Sequence, residues 1–518
     1  MGAGLLASQL ILVLCFTVYT LNNYAHLRRQ RAIIALPTFF GWFFSFLIII
    51  VLPLDVAITF YKKCTTEEFS LKIVEEKNLS GEISFNSHEN NGINSNSTSF
   101  CEEPGGFIED KLLFRLWRIV YWGSQFLTWI LLPMIQSYAK AGEFNVKGRL
   151  KYALHSNAVY YGIYFSLLTF LLIYIVSKGV SLNFASLKIL VVSASNTWGI
   201  FLLVVLLGYG LIEVPRLFWR MGIPGYRLRR TYFEIDKLSS EKNESEDALL
   251  EAYKKVIRAV QTFHRCQIQW NSLLEQSFYL EDVELSERIG KIPKQWTTFT
   301  EKNKPKFYGP SRFGGFELPA IPEKIQFFWH CKIKQQLFKF LAILFTIMTT
   351  LILWSECTFF ISRPQLSLAA LLLHGLAKNY HYKFIQICAI AMILYLSKNY
   401  HYKFIQICAI AMILYLCICA YYTIFQLRIY RYYRLDSNGM TDENSLIFSA
   451  MLICRLTAPM CLNFLGMIHL DSAVTKMRDA KIETQFTGLM GHLEIIPWLA
   501  EGINIYLPIV IVLLCFAN

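Results

Sequence analysis

The chain has 518 residues, 54% of them hydrophobic and only 17% charged, where soluble domains carry about 25% charged residues. Its mean hydropathy is +0.38 and its formal net charge is +13. This composition excludes an ordinary soluble globule, and the positive charge needs no nucleic acid, because basic loops beside anionic lipid account for it.

Nine apolar runs are long enough to cross a hydrocarbon core of about 30 Å. They fall at 4–22, 34–61, 115–137, 158–177, 187–212, 338–361, 404–426, 446–468 and 501–517. The fold class implied is all-α: a polytopic helical membrane protein of about nine spans. Three regions follow: a five-span region at 1–214, a long polar stretch at 215–336 and a four-span region at 337–518.

The first run lacks a basic n-region and is followed by a basic loop, so it reads as a retained signal-anchor rather than a cleaved signal peptide. Arg28, Arg29 and Arg31 follow it and place that loop inside and the N-terminus outside. Lys140, Lys147, Arg149 and Lys151, and later Arg428, Arg431 and Arg434, fall on the same inner side of a nine-span chain. Pro53 lies inside the second run and is expected to kink it.

The loop at 62–111 is rich in Glu and Asn and falls outside. It carries glycosylation sequons at Asn78 and Asn96, which agree with that side. A third sequon, at Asn243, falls inside and is expected to stay bare. Cys64 and Cys101 are the two cysteines of the outer loop and are candidates for a disulfide, the alternative being two thiols. The remaining cysteines lie mostly in spans and behave as small apolar residues.

Arg216, Arg220, Arg227, Arg229 and Arg230 follow the fifth run. They read as inner-side topology first and as a lipid-headgroup site second. Ser239 and Ser240, before an acidic run, mark a helix start. Leu249, Tyr253, Val256, Val260, Phe263, Gln267, Trp270 and Leu274 then recur at spacings of four and three, a heptad seam. Either a helical hairpin within the chain or a coiled coil with a partner satisfies that seam. The stretch 290–322, with Pro293, Pro305, Pro310, Pro319 and Pro322, reads as an irregular linker.

Residues 378–396 are repeated without one change at 398–416. Natural repeat units diverge, so this tandem copy reads as an assembly artefact or a recent duplication, with a re-entrant loop as the functional alternative. The apolar part of the first copy is too short for a span, and two spans here would flip every later loop.

Ionisable groups at membrane depth are functional candidates. They are Asp55, Glu213, Glu356 and Arg455, with Asn463, Asn157, Asn196 and Gln125 as polar neighbours. Arg455 sits mid-span in LICRLTAPMCLNF and needs a counter-charge, for which Glu356 or Asp55 would serve. An interhelix salt bridge or hydrogen bond is the plainer role for each of these groups, and a transport site the sharper one. No phosphate-binding loop, dinucleotide fingerprint, zinc-protease motif or nucleophile elbow occurs. His264, His469 and His492 are scattered and form no metal constellation. No enzymatic activity, cofactor or metal is expected.

The segments LPLDVAITFYKKC (52–64), YWGSQFLTWILLPMIQSYAKAGEF (121–144), NTWGIFLLVVLLGYGLIEVPRLFW (196–219) and TDENSLIFSAMLICRLTAPMCLNFLGMIHLDS (441–472) resemble the limb-region/lipocalin-receptor (LIMR) membrane protein family. The likeness extends over nearly the whole chain. It is greatest to the "domain-containing" branch, described as G-protein-coupled-receptor-associated. The resemblance implies nine spans, an outer N-terminus and a large central cytoplasmic loop. It also implies functions of the kind ascribed to members: lipocalin receptor, partner in lysosomal cobalamin export, or accessory to receptor signalling. Members continue into a cytoplasmic tail, so a longer parent chain is expected beyond Asn518.

These readings converge on a non-enzymatic, receptor-like or accessory protein whose partners are the bilayer and a G-protein-coupled receptor or another membrane protein. The plasma membrane is preferred over an endolysosomal membrane. The alternative is a transporter or transporter-partner subunit, supported by the polar groups at membrane depth. A lipid-handling role resting on 216–230 is the third.

Overall fold

Inside a bilayer every backbone N–H and C=O must find its partner within the chain, so apolar runs resolve as helices. The computed structural model describes residues 2–25, 31–82, 107–141, 145–177, 184–223, 225–249, 253–290, 312–313, 316–317, 328–358, 366–378, 400–427, 435, 439, 441–470, 484–490 and 507–517. Its helices are α1 (Gly2–Tyr24), α2 (Ala32–Glu82), α3 (Asp110–Phe126), α4 (Leu132–Lys140), α5 (Val146–Ser177), α6 (Phe184–Met221), α7 (Tyr226–Leu249), α8 (Tyr253–Ile289), α9 (Lys334–Thr358), α10 (Leu368–Lys378), α11 (Tyr400–Leu427), α12 (Glu443–Met467), α13 (Gln485–Met490) and α14 (Leu507–Ala517). A two-stranded antiparallel pairing joins β1 (Arg312–Phe313) to β2 (Phe316–Glu317).

Among the described residues seven helices are long and apolar enough to cross a membrane. The two further runs have identifiable fates. The run 115–137 is interrupted by a π-helical turn, Leu127–Leu131, between α3 and α4. Of the run 501–517, only α14 is described. Several boundaries move from those the sequence suggests. The stretch 62–111 is not a loop from its start, because α2 continues to Glu82. Asn78 therefore sits on the end of a helix, while Asn96 and Cys101 lie outside the described residues. Cys64 is disulfide-bonded, and its partner also lies outside them. The first copy of the tandem repeat and His492 lie outside the described residues too, and the second copy forms most of α11.

The chain forms two compact units, one of residues 1–211 with 348–518 and one of residues 212–347. The first unit is organised around α2 and α12. Leu21, Ala25, Ile34 and Trp42 pack there with Leu127, Leu132, Leu446, Ile447, Ala450 and Ile453 in one apolar cluster. The axes of α2 and α12 come close at Gly41, where the Cys454 thiol donates to the Gly41 carbonyl at 3.2 Å. Small residues at helix crossings permit such approaches in membranes, where packing rather than apolar burial drives association. Asp442 caps α12, its carboxylate accepting the Asn444 amide at 3.2 Å. The helix ends with His469 in the left-handed region at φ 57°, and the Leu470 amide returns to the Leu465 carbonyl at 3.1 Å.

Prolines organise the first unit in a second way. A proline lacks an N–H, so the carbonyl four residues earlier loses its helical donor. Two of these carbonyls are met by hydroxyls of other helices. Trp129 O, four before Pro133, accepts the Tyr161 hydroxyl. Leu211 O, four before Pro215, accepts Thr349 Oγ1 at 2.9 Å.

In the second unit α7 and α8 pack along one another as a hairpin. The helix does not start at Ser239 and Ser240: α7 begins at Tyr226, directly after Gly225 at φ 75°. Leu249 is the last described residue of α7, while Tyr253, Val256, Val260, Phe263, Trp270 and Leu274 belong to α8; residues 250–252 lie outside the described residues. The side chains of Tyr253, Val256 and Val260 lie outside the described residues. Phe263, Gln267, Trp270 and Leu274 are half-buried and Cys266 is buried. The Tyr232 hydroxyl donates to Glu281 across the hairpin. A π-helical turn, Phe328–Ile333, leads into α9 and lies against α8, where Gln335 donates to Glu287 at 3.2 Å.

Candidate functional site

Three ionisable groups of the first unit lie at or near span depth, two carboxylates that are buried and an arginine that is half-buried, and each is treated differently by its surroundings. Asp55 is 1% exposed on α2. Its Oδ2 accepts the Trp117 indole N–H at 3.0 Å and the Phe486 amide at 3.0 Å, and its Oδ1 accepts the Gln485 amide at 3.2 Å. Those amides open the short helix α13, whose orphan N–H groups and positive dipole end favour a carboxylate. Thr484 completes the cap by accepting the Thr487 amide at 3.1 Å. Asp55 thus ties α3 and α13 to α2, and Trp117 stacks edge-on against Phe486 with ring centroids 4.9 Å apart.

Glu356 is fully buried on α9. Its Oε1 accepts the Asn463 amide of α12 at 2.6 Å, while its Oε2 is buried with no hydrogen-bond partner among the described residues.

Arg455 lies midway along α12, equidistant from Glu443 and Met467. The sequence suggested Asp55 or Glu356 as its counter-charge; the structure corrects this, because each carboxylate is engaged elsewhere. Among the described residues no carboxylate pairs with Arg455. Its guanidinium carbon lies 5.3 Å from the centroid of the Trp129 ring, a cation–π contact of the sort that gains strength when desolvated. Its Nε is buried without an acceptor. Gln125, Thr128, Trp129, Asn196, Gly199, Cys454 and Arg455 line a small polar cavity.

The local fold around the cavity follows from two prolines. Pro133 forces the π-helical turn at Leu127–Leu131, where the Leu132 amide reaches back five residues to the Leu127 carbonyl. Such turns are frequent at functional sites, since they rotate side chains out of α-helical register. The Trp129 ring stands edge-on to Tyr164 of α5 with centroids 5.4 Å apart, and its indole N–H donates to Gln125 Oε1 at 2.8 Å. Pro459 leaves the Arg455 carbonyl without its helical donor. Gly199 of α6 packs directly against that turn: a Cβ there would sit 2.3 Å from Pro459 Cγ and 3.0 Å from the Arg455 carbonyl.

The other candidates separate. Glu213 is neutralised on its own helix by Arg216 at 3.1 Å and Arg220 at 3.6 Å, so it is not a lone charge. Asn157 is bonding between helices, its amide donating to Ser137 Oγ at 3.0 Å and to the Ala153 carbonyl at 2.8 Å. Sequence reasoning missed Trp117, Trp129, Tyr161 and Gly199. A signal was present for one of them: Pro133 stands four residues after Trp129 and marks its carbonyl as freed. Among the described residues no group of His, Cys, Asp and Glu is arranged to hold a metal ion.

Apolar helices of spanning length, packed through small residues around buried polar groups, define a multi-pass helical membrane protein. The family described as LMBR1-like membrane protein matches residues 2–256, 242–398 and 396–518. A Caenorhabditis briggsae protein named "G-protein coupled receptor-associated protein LMBRD2" is 40% identical, the match covering 99% of this chain and 81% of that protein. The Homo sapiens protein of the same name is 33% identical, over 100% of this chain and 78% of its own length. A Drosophila melanogaster protein named "LMBR1 domain-containing protein 2 homolog" is also 33% identical, over 100% of this chain and 77% of its own. No solved structure matches the chain. The chain belongs to the LMBR1-like membrane protein family, in agreement with the resemblance carried by 52–64, 121–144, 196–219 and 441–472.

Proposed function

We propose that this protein is a non-enzymatic accessory subunit of G-protein-coupled receptors, acting by association at the plasma membrane. The observation that carries the reading is whole-chain similarity, at 40% and 33% identity, to proteins named for receptor association. Two structural features support it. The helix α5 packs on α4 and otherwise presents an apolar flank, including Phe165 and Phe170, which suits lipid or the helices of another membrane protein. The α7–α8 hairpin offers a polar surface that, with the N-terminus outside, faces signalling proteins in the cytoplasm.

The test is proximity labelling in live cells, with the labelling enzyme inserted between Gly290 and Phe328 and receptors stimulated or left idle. Agonist-dependent enrichment of receptors and their regulators is the expected result. A constant neighbourhood dominated by one transporter overturns it. That outcome would favour the second reading, a transporter or transporter-partner subunit, for which the one specific observation is Arg455 at mid-helix, paired with no carboxylate among the described residues. Under that reading Arg455→Leu abolishes flux while leaving folding and yield intact.

A further inference from the structure

We infer that Arg227 and Lys334 form a binding site for a phosphomonoester group, as carried by an anionic lipid headgroup or a soluble inositol phosphate. The inference does not depend on which functional reading holds. Arg227 is the second residue of α7 and Lys334 the first of α9, and both are half-buried. Lys334 Nζ lies 5.2 Å from the centroid of the Tyr279 ring of α8 and 3.4 Å from its hydroxyl. The Arg227 guanidinium carbon lies 5.7 Å from the ring centroid of Phe338, one turn beyond Lys334 on α9. The two cations are close enough to repel one another, and Tyr279 is within electrostatic reach of Arg227 as well. Three helices thus hold two like charges together. Among the described residues neither cation pairs with a carboxylate. Acids of the same hairpin are engaged elsewhere: Glu287 by Gln335, Glu281 by Tyr232 and Glu234 by Arg230.

The charged groups set the chemistry of the ligand. Phe338 and Tyr279 orient the cations but supply quadrupoles, not charge. Guanidinium and ammonium are donors only, and the first amides of α7 lack helical acceptors at its positive dipole end. An arginine fork meets two phosphate oxygens at once, and a lysine beside it meets a third as a point charge. A phosphomonoester carries a charge of about −1.5 to −2 at pH 7, which matches two cations; a carboxylate or a phosphodiester carries only one. Depth favours the lipid as the source. The helix α6 ends at Met221. The next residue, Gly222, packs so closely on α9 that a Cβ there would lie 2.7 Å from Lys339 Cγ and 3.3 Å from the Gln335 carbonyl. Lys334 precedes the apolar run 338–361 by four residues, about 6 Å along a helix. The pair therefore stands where α6 and α9 leave the apolar layer, at the level of headgroups.

The test uses the purified full chain in phosphatidylcholine nanodiscs, read by thermal unfolding and by hydrogen exchange over 226–235. Three probes are compared: phosphatidylinositol bisphosphate in the disc, phosphatidylserine in the disc at matched charge, and inositol trisphosphate in solution. Ligands that bind only the folded state raise the unfolding temperature with concentration. The bisphosphate lipid is expected to raise it and to slow exchange, and phosphatidylserine to do neither. Protection by that lipid alone assigns a headgroup as the ligand, and equal protection by the trisphosphate assigns a soluble phosphate; both results support the site. Arg227→Gln and Lys334→Gln are each expected to weaken binding about tenfold. Arg227→Lys keeps the charge and loses the fork, so it should weaken binding less, and it tests the site even if the glutamine variant misfolds. Lys237→Gln makes the same charge change ten residues along α7, at an exposed position, and should leave binding unchanged. No protection by either phosphate probe, equal protection by phosphatidylserine, or protection retained in both glutamine variants would overturn the inference.

Discussion

The indole nitrogen of Trp117 donates to Asp55 Oδ2 at 3.0 Å, and both residues are buried. The same carboxylate receives the first amides of α13, so a single side chain of α2 orders two other helices. Hydrogen bonds to charged groups contribute about 1.5–3 kcal/mol each, and leaving their donors unpaired costs more. Asp55→Asn is expected to lose at least that amount, because an amide offers one acceptor oxygen to three donors. Trp117→Phe removes one donor and keeps the ring, so its loss should be smaller. Thermal unfolding in detergent reads both, and protease cleavage near 484–490 should rise sharply only in Asp55→Asn. Equal sensitivity in the two variants would show that α13 is held by apolar packing instead.

Gly210 and Gly199 mark the places where α6 meets its neighbours most closely. A Cβ at Gly210 would lie 2.3 Å from the Cys419 carbonyl, which is backbone and cannot step aside. At Gly199 it would lie at the same distance from a proline ring. Overpacking of this sort costs about 1–3 kcal/mol. Gly162 on α5 has nothing within 4 Å, and alanine there is expected to be neutral or to gain up to about 1 kcal/mol from helix propensity. The three alanine variants, compared by unfolding temperature, should therefore rank with Gly162→Ala highest and Gly210→Ala lowest.

Much of this architecture was legible in the chain, and the failures have physical reasons. Apolar length located every described span, because hydrocarbon thickness fixes it. The run 115–137 was read as one helix because periodicity does not register a π-helical turn, although Pro133 was visible. The end of α2 was placed too early, since Lys62, Lys63, Glu67 and Glu68 look like loop residues when only hydropathy is followed, yet they are good helix formers. The heptad seam from Leu249 spans the described end of α7 and the start of α8, a division that spacing alone does not register. Arg455 was found from sequence and its surroundings were not. Opposite charge was the only pairing rule available there, and the structure meets the cation with an aromatic face instead.

Asp282 on α8 gives the hairpin a pH dependence. It is 5% exposed, and burial, reinforced by the neighbouring Glu281, pushes its carboxyl up to about 6. A folded-state value above the unfolded one means the folded hairpin binds the extra proton. Stability from this group is therefore complete below the unfolded value and lost as pH rises through about 6. Lowering the pH from about 7.5 to about 5 should stabilise α8 by roughly 1 kcal/mol. Hydrogen exchange over 280–290, corrected for intrinsic rates, should show the added protection at the lower pH. Asp282→Asn should be more protected at neutral pH and nearly flat across the range. A profile unchanged by that substitution would assign the pH response to Glu281, Glu284 or Glu287.

The helix α5 separates a packed face from an exposed apolar one. Ala153 and Asn157 are buried, the latter bonded to Ser137 of α4, whereas Phe165 and Phe170 are 66% and 69% exposed. In water such a flank would aggregate; in a membrane it faces lipid or another helix. A basic or acidic residue near the centre of a span costs about 2.5–3.5 kcal/mol on insertion. Phe165→Lys is therefore expected to lower the inserted fraction in a glycosylation-reporter assay, while Phe165→Leu leaves it unchanged. Phe170→Ala separates lipid from partner. Both environments tolerate it for insertion, but an interface loses an aromatic anchor, a residue type whose truncation often costs 2 kcal/mol or more. If receptors dock on α5, Phe170→Ala should reduce receptor co-purification at least tenfold with insertion intact. If capture is unchanged in this variant and falls instead when charges on α7 and α8 are neutralised, the docking surface is the hairpin and α5 faces lipid alone.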